Sequence, residues 1–84
     1  MMNDNHIQWL DLPCTGYSEQ ARLILRFAKQ VLDKHPRAKC GMVLEGVRAN
    51  TYFVWLDDGV SKGNLSEGCS GLLTAWYEAY EATR

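Results

Sequence analysis

Few residues of this chain have the type and spacing that catalysis requires. The only adjacent carboxylates are Asp57 and Asp58, directly before Gly59. Paired carboxylates can act as general acid and base, but Asp-Asp-Gly is also common turn chemistry because aspartate bonds its own main chain. We favour the turn, and no serine, cysteine or histidine set replaces the missing catalytic residues. The sequence therefore predicts that this protein is not an enzyme.

Metal and nucleotide sites have equally weak support. His6 and His35 are the only histidines and do not have ligand spacing. The spaced carboxylates of an EF-hand loop are absent. The glycines at 59 and 63 enclose a short loop, but neither a Walker pattern nor a GxGxxG segment is present. We predict no cofactor and no metal.

The cysteines indicate packing rather than chemistry. Cys14, Cys40 and Cys69 are widely spaced and form no CxxC or CxxH pattern. An odd number of cysteines fits reduced thiols in a cytosolic protein. The first residues are polar, and no run approaches the roughly 18 apolar residues of a membrane span. We expect a cytoplasmic protein that does not enter a membrane.

Charge is balanced overall but unevenly distributed. The net charge is −1, which argues against a dedicated nucleic-acid binder. Residues 17–48 hold seven Lys/Arg against three Asp/Glu (+4), whereas residues 49–84 hold two against five (−3). We expect a dipolar domain, a distribution that suits steering toward a charged partner or contact between copies.

Residues 18–35 are predicted to form one amphipathic helix. Ser18 is expected to cap its start, and Pro36 to end it near His35. An apolar stripe recurs at helical spacing; its members are Ala21, Ile24, Leu25, Ala28, Val31, Leu32 and His35. The opposite stripe is largely basic; it contains Arg22, Arg26, Lys29 and Asp33.

Strand-like patterns precede and follow this helix. One covers residues 6–12, and two more, 39–45 and 51–56, are spaced as a β-hairpin. The second hairpin strand is apolar on both faces, with Phe53 and Trp55 on one of them. Such a strand is expected to lie centrally or to meet a partner with its second face.

The remaining residues predict a turn, a loop and a closing helix. The turn lies at 57–59, the loop runs through Asn64, and a short strand over 60–62 is a weaker alternative. A helix is expected from about Leu72 to the end, capped by Ser70 or by a capping box of Asn64 and Glu67. The order is β-α-β-β-α, with one extra short strand as an option.

The economical arrangement is an antiparallel sheet with both helices on one face. We therefore predict a small two-layer α+β sandwich, formed by residues 1–84 as one domain, with residues 1–5 flexible. One sheet face would then remain open to solvent or to a partner.

The aromatic content favours protein binding as the function. Nine aromatic residues exceed what so thin a core encloses easily, and exposed Trp and Tyr are typical interface anchors. The predicted partner-binding residues are Arg22, Arg26 and Lys29 on the helix, with Phe53 and Trp55 on the open strand face. A homodimer is an open alternative. By analogy of size alone, a phage- or mobile-element-type inhibitor of a host machine, such as an anti-CRISPR protein, fits this description.

Two other function classes stay open. A nucleic-acid-binding domain would use the basic helix face for phosphates and Phe53 or Trp55 for base stacking. A small-ligand-binding domain would need a deep pocket with convergent polar groups.

Overall fold

The computed structural model describes residues 6–57, 59 and 62–84. They form the elements β1 (Ile7–Leu10), α1 (Glu19–Lys34), β2 (Lys39–Val43), β3 (Tyr52–Asp57), β4 (Lys62–Cys69) and α2 (Leu72–Thr83). The four strands make one antiparallel sheet in the order β1-β2-β3-β4. The predicted α+β class is confirmed. The predicted flexibility of residues 1–5 lies outside the described residues.

Helix α1 follows its sequence pattern closely. The Ser18 side chain accepts a hydrogen bond from the Ala21 amide at 3.1 Å, which is the predicted N-cap. At the other end His35 is the C-cap, and its amide donates to the Val31 carbonyl. The buried residues of α1 belong to the predicted apolar stripe, so local periodicity and capping account for this element.

The strand alternation decides what packs beneath the helices. Leu10 pairs with Cys40, and Cys40 pairs with Val54, so these side chains share one sheet face. Cys40 and Val54 are fully buried there, in one core with Val31 of α1 and Trp76 of α2. Both helices therefore cover the same face, and no helix of the described residues covers the other face of the sheet.

The structure departs from the sequence prediction at β4. An eight-residue strand, Lys62–Cys69, replaces the part of the predicted loop from residue 62 onward. Residues 60 and 61 of the optional short strand lie outside the described residues. Its two glycines and several polar residues disfavour a strand locally, but pairing with β3 supplies the missing stability. Asn64 and Glu67 thus lie in a strand and form no capping box, and α2 begins after Gly71 without a side-chain cap.

Candidate functional site

The helix-free face of the sheet is apolar at its centre. Ile7 and Trp9 point to it from β1, and the pairings Ile7–Val43, Trp9–Gly41 and Gly41–Phe53 extend it across β2 to β3. The large apolar side chains of this face are Ile7 and Trp9 from β1, Val43 from β2, and Phe53 and Trp55 from β3. This is the open strand face that the sequence predicts, and Phe53 and Trp55 both lie on it.

Phe53 lies at the base of this face rather than on its surface. Its ring fits where Gly41 has no side chain, since a Cβ on Gly41 would come within 2.8 Å of the ring's Cζ atom. Trp9 packs edge-on against it, with ring centroids 5.6 Å apart. Phe53 is consequently only 5% exposed, so any partner would touch mainly its neighbours and the small part of its ring that faces outward.

Beside Phe53 the face opens into a partly open cavity of about 170 Å³. Ile7, Val43 and Phe53 supply its apolar lining. A dry apolar cavity of about 150 Å³ holds benzene, whereas ligand pockets usually measure about 300–1,000 Å³. The volume of the cavity is therefore sufficient for one apolar side chain and too small for a typical organic ligand.

Charged and amide groups stand at the edge of this cavity. The Arg48 Nη1 atom lies 3.2 Å from the Glu67 Oε2 atom, and Asn64 Nδ2 donates to the same oxygen at 3.2 Å. The Arg48 and Glu67 side chains are both largely exposed to solvent. An exposed ion pair contributes about 0–1 kcal/mol, so these groups can exchange their partners at little cost.

A cation borders the same face at the neighbouring tryptophan. Lys39 Nζ lies 4.1 Å from the centre of the Trp9 ring, in a cation–π arrangement. Lys39 also pairs in register with Trp55, which is half-buried. The helix-free face thus has an apolar and aromatic centre with polar and charged groups around it, the composition that protein interfaces commonly show.

The predicted basic residues lie on the other side of the molecule. Arg22, Arg26 and Lys29 are exposed on α1, which covers the opposite face of the sheet. Within residues 6–57, 59 and 62–84, none of the three forms an ion pair. The structure therefore does not bring the basic trio together with Phe53 and Trp55, and the five predicted residues form two separate surfaces.

The cavity residues outside β3 were missed from the sequence. The sequence predicts a loop or a helix cap at Asn64 and a helix cap at Glu67, because no local pattern predicts β4, and Arg48 contributes only to the charge distribution. The alternation of Ile7 and Trp9 along β1 was a usable signal, since it placed two large apolar side chains on the face opposite Leu10. No local pattern identified Val43 as their cross-strand neighbour.

The aspartate and histidine residues that could do chemistry make ordinary structural contacts instead. The Gly59 amide donates to Asp57 Oδ1 at 3.1 Å, as the turn interpretation predicts for these two residues. Asp58 lies outside the described residues. His6 Nδ1 lies 2.7 Å from Glu45 Oε2 in an exposed contact. Across the described part of the chain, no group of three or more His, Cys, Asp or Glu side chains is placed to hold a metal ion.

The three cysteines differ in their environments. Burial raises the pKa of the Cys40 thiol to about 12. Burial, together with the hydrogen bond that its thiol donates to Glu78 at 3.2 Å, raises the pKa of Cys69 to about 11. Cys40 and Cys69 are therefore packing residues, as predicted, and their thiols are poor nucleophiles. Cys14 is exposed, so the packing interpretation is wrong for it.

Comparisons with family models, with curated proteins and with solved structures give no significant match. Neither helix of the described residues has the length and apolar character needed to cross a membrane.

Proposed function

We propose that this chain is a protein-binding module without chemistry of its own, and that the helix-free face of the sheet is its docking surface. The observation that carries the proposal is the cavity of about 170 Å³ with its apolar lining. A partner would insert one apolar side chain there, beside Phe53, while its polar groups meet Arg48, Asn64 and Glu67. Such a central anchor within a polar rim is the usual anatomy of a protein interface.

The same face gives less support to the two alternative functions, which are binding of a small organic ligand and binding of a nucleic acid. The cavity is small for an organic ligand, whose pockets usually start near 300 Å³. A nucleic-acid backbone would meet the carboxylates of Glu67 and Asp57 beside the cations of this face, and like charges there oppose binding. A protein partner, which presents both signs of charge, satisfies this rim better.

The basic face of α1 is a second candidate surface. Arg22, Arg26 and Lys29 have no ion-pair partner among the described residues, which leaves them available to an acidic partner. Because this face and the cavity lie on opposite sides of the sheet, one compact partner would contact only one of them. A nucleic acid bound here remains the alternative, and salt dependence of binding would reveal it.

The biological setting is also a proposal. The small size of the domain supports an inhibitor of phage or mobile-element type, which would block a host machine by occlusion in the cytoplasm. Protein binding through a docking face is the step that such a role requires.

An affinity capture from host-cell lysate, run with and without nuclease, tests the proposed function. Val43→Phe fills the cavity with a residue that strands accept, and Arg22→Glu/Arg26→Glu/Lys29→Glu serves as the matched surface variant. We expect a discrete, nuclease-resistant protein that Val43→Phe loses and the triple variant retains. Equal capture by the wild type and a folded Val43→Phe would refute docking at the cavity. If only the triple variant fails to capture the protein, the binding surface is the basic face of α1. If nuclease treatment abolishes capture, the partner is a nucleic acid or is held through one.

A further inference from the structure

An apolar protrusion stands directly beside the cavity. The loop between β2 and β3 exposes Leu44 and Val47, and the Val47 side chain is fully accessible to solvent. These are two of the four large apolar side chains that are exposed among the described residues. The next residue after Val47 is Arg48, which lines the cavity. One patch of the surface therefore carries both a convex and a concave apolar feature.

From this juxtaposition we propose that the docking surface is occupied by a second copy of this chain, with Val47 of each copy inserted into the cavity of the other. The inference rests on the proposed docking face and names its occupant. A two-fold dimer uses the same patch on both subunits, so that patch must complement itself. A protrusion adjacent to a matching cavity meets this requirement, since a two-fold axis between them forms both contacts at once.

The size of the cavity agrees with this occupant. Its volume of about 170 Å³ is close to that of an apolar cavity that holds benzene, and the isopropyl group of valine is smaller than benzene. A valine that enters the cavity would leave solvent and contact its apolar side, which Ile7, Val43 and Phe53 form. Burial of each valine then favours association.

The loop holds Val47 in a defined position before binding. The Asn50 amide donates to the Val43 carbonyl at 2.7 Å, and the Val43 amide donates to the Thr51 carbonyl at 2.9 Å. Thr51 Oγ1 donates to the Arg48 carbonyl at 2.7 Å. Gly46 and Asn50 have φ values of 96° and 67°, the left-handed conformation that this tight loop needs. A loop that is already ordered loses little entropy when it docks.

The charges around the cavity also suit a copy of the same chain. Arg48 and Glu67 lie at the rim with opposite signs, 3.2 Å apart. A two-fold axis at this rim brings the arginine of one copy to the glutamate of the other, so each intramolecular pair can be exchanged for an intermolecular one. A strongly acidic or basic foreign partner would meet one attractive and one repulsive group here.

Light scattering and sedimentation equilibrium of the full chain test the dimer. The wild type should have twice the 9.6 kDa mass of one chain. Val47→Asp, at a fully exposed position, should leave the fold intact and weaken the dimer about a hundredfold, about tenfold for each valine. Tyr17→Asp, at another exposed apolar residue outside the cavity, is the control and should remain dimeric.

A mixing experiment separates this inference from the proposed function. Val47→Asp keeps the cavity and Val43→Phe keeps the protruding valine, so a mixture of the two can form one of the two contacts. We expect each variant alone to be monomeric and the mixture to associate more tightly than either. A wild type that is monomeric at millimolar concentration, or a dimer that survives Val47→Asp, overturns the second copy as occupant. If the wild type is monomeric while Val43→Phe still loses a captured protein, only the choice of occupant fails.

Discussion

Removal of the Ser66 hydroxyl is expected to lower the free energy of unfolding substantially, although the serine lies in the edge strand of the sheet. Ser66 lies in β4 and is only 7% exposed. Its Oγ atom accepts a hydrogen bond from the Val54 amide at 3.2 Å and donates one to the Ala75 carbonyl at 2.7 Å. The register of β3 against β4 shifts on both sides of Val54, so the hydroxyl takes the place of a backbone acceptor. One side chain thus joins β3, β4 and α2.

The magnitude follows from the group that Ser66→Ala leaves without a partner. This group is the buried Val54 amide, because the Ala75 carbonyl lies inside α2, where the amide four residues later donates to it. A buried donor without a partner costs about 1–3 kcal/mol, so we expect a loss of about 2 kcal/mol in the free energy of unfolding. A domain of this length has about 4–13 kcal/mol in total. In a small domain each kcal/mol lowers Tm by about 4–8 °C, so Tm should fall by about 8–16 °C.

Urea unfolding followed by circular dichroism measures this change. Ser70→Ala is the matched control, because Ser70 is exposed and provides no side-chain cap for α2; it should change stability by less than about 0.5 kcal/mol. A loss for Ser66→Ala as small as the control's would refute the reasoning, since the Val54 amide would then not depend on the hydroxyl. The m-value should stay unchanged if both variants unfold from the same compact state.

Three further predictions follow, one from Gly41 below the Phe53 ring and two from the buried thiols of Cys40 and Cys69. Gly41→Ala would place a Cβ 2.8 Å from the Phe53 ring; thermal unfolding should show a loss of about 1–3 kcal/mol from overpacking, and an unchanged Tm would contradict the observed packing. At pH 8, iodoacetamide should label Cys14 in the folded chain but label Cys40 and Cys69 only on unfolding, as peptide mass spectrometry would show. In the folded chain the pKa of Cys40 is about 12 and that of Cys69 is about 11, both above the ordinary value of 9. The unfolded chain therefore loses its thiol protons at lower pH, so the free energy of unfolding should fall as pH rises above 9. Rapid labelling of all three thiols in folded protein, or stability that is flat across this range, would contradict their burial.

The sequence alone determined the elements whose causes are local. Helix α1 forms where an apolar residue recurs every three or four positions, with Ser18 at one end and Pro36 at the other. The alternation along β3 likewise places Phe53 and Trp55 on one face whatever strand pairs with it. Periodicity and capping act within a few residues, so these features are readable without the fold.

Tertiary structure decided β4 and the cavity. The residues of β4 have weak strand preference, and only pairing with β3 and the Ser66 hydrogen bonds make them a strand. The depth of Phe53 depends on the missing side chain of Gly41, and the cavity needs residues from all four strands. These relations join positions that are distant in the chain, and no local pattern encodes them, because the free energy of such contacts exists only when the strands have come together.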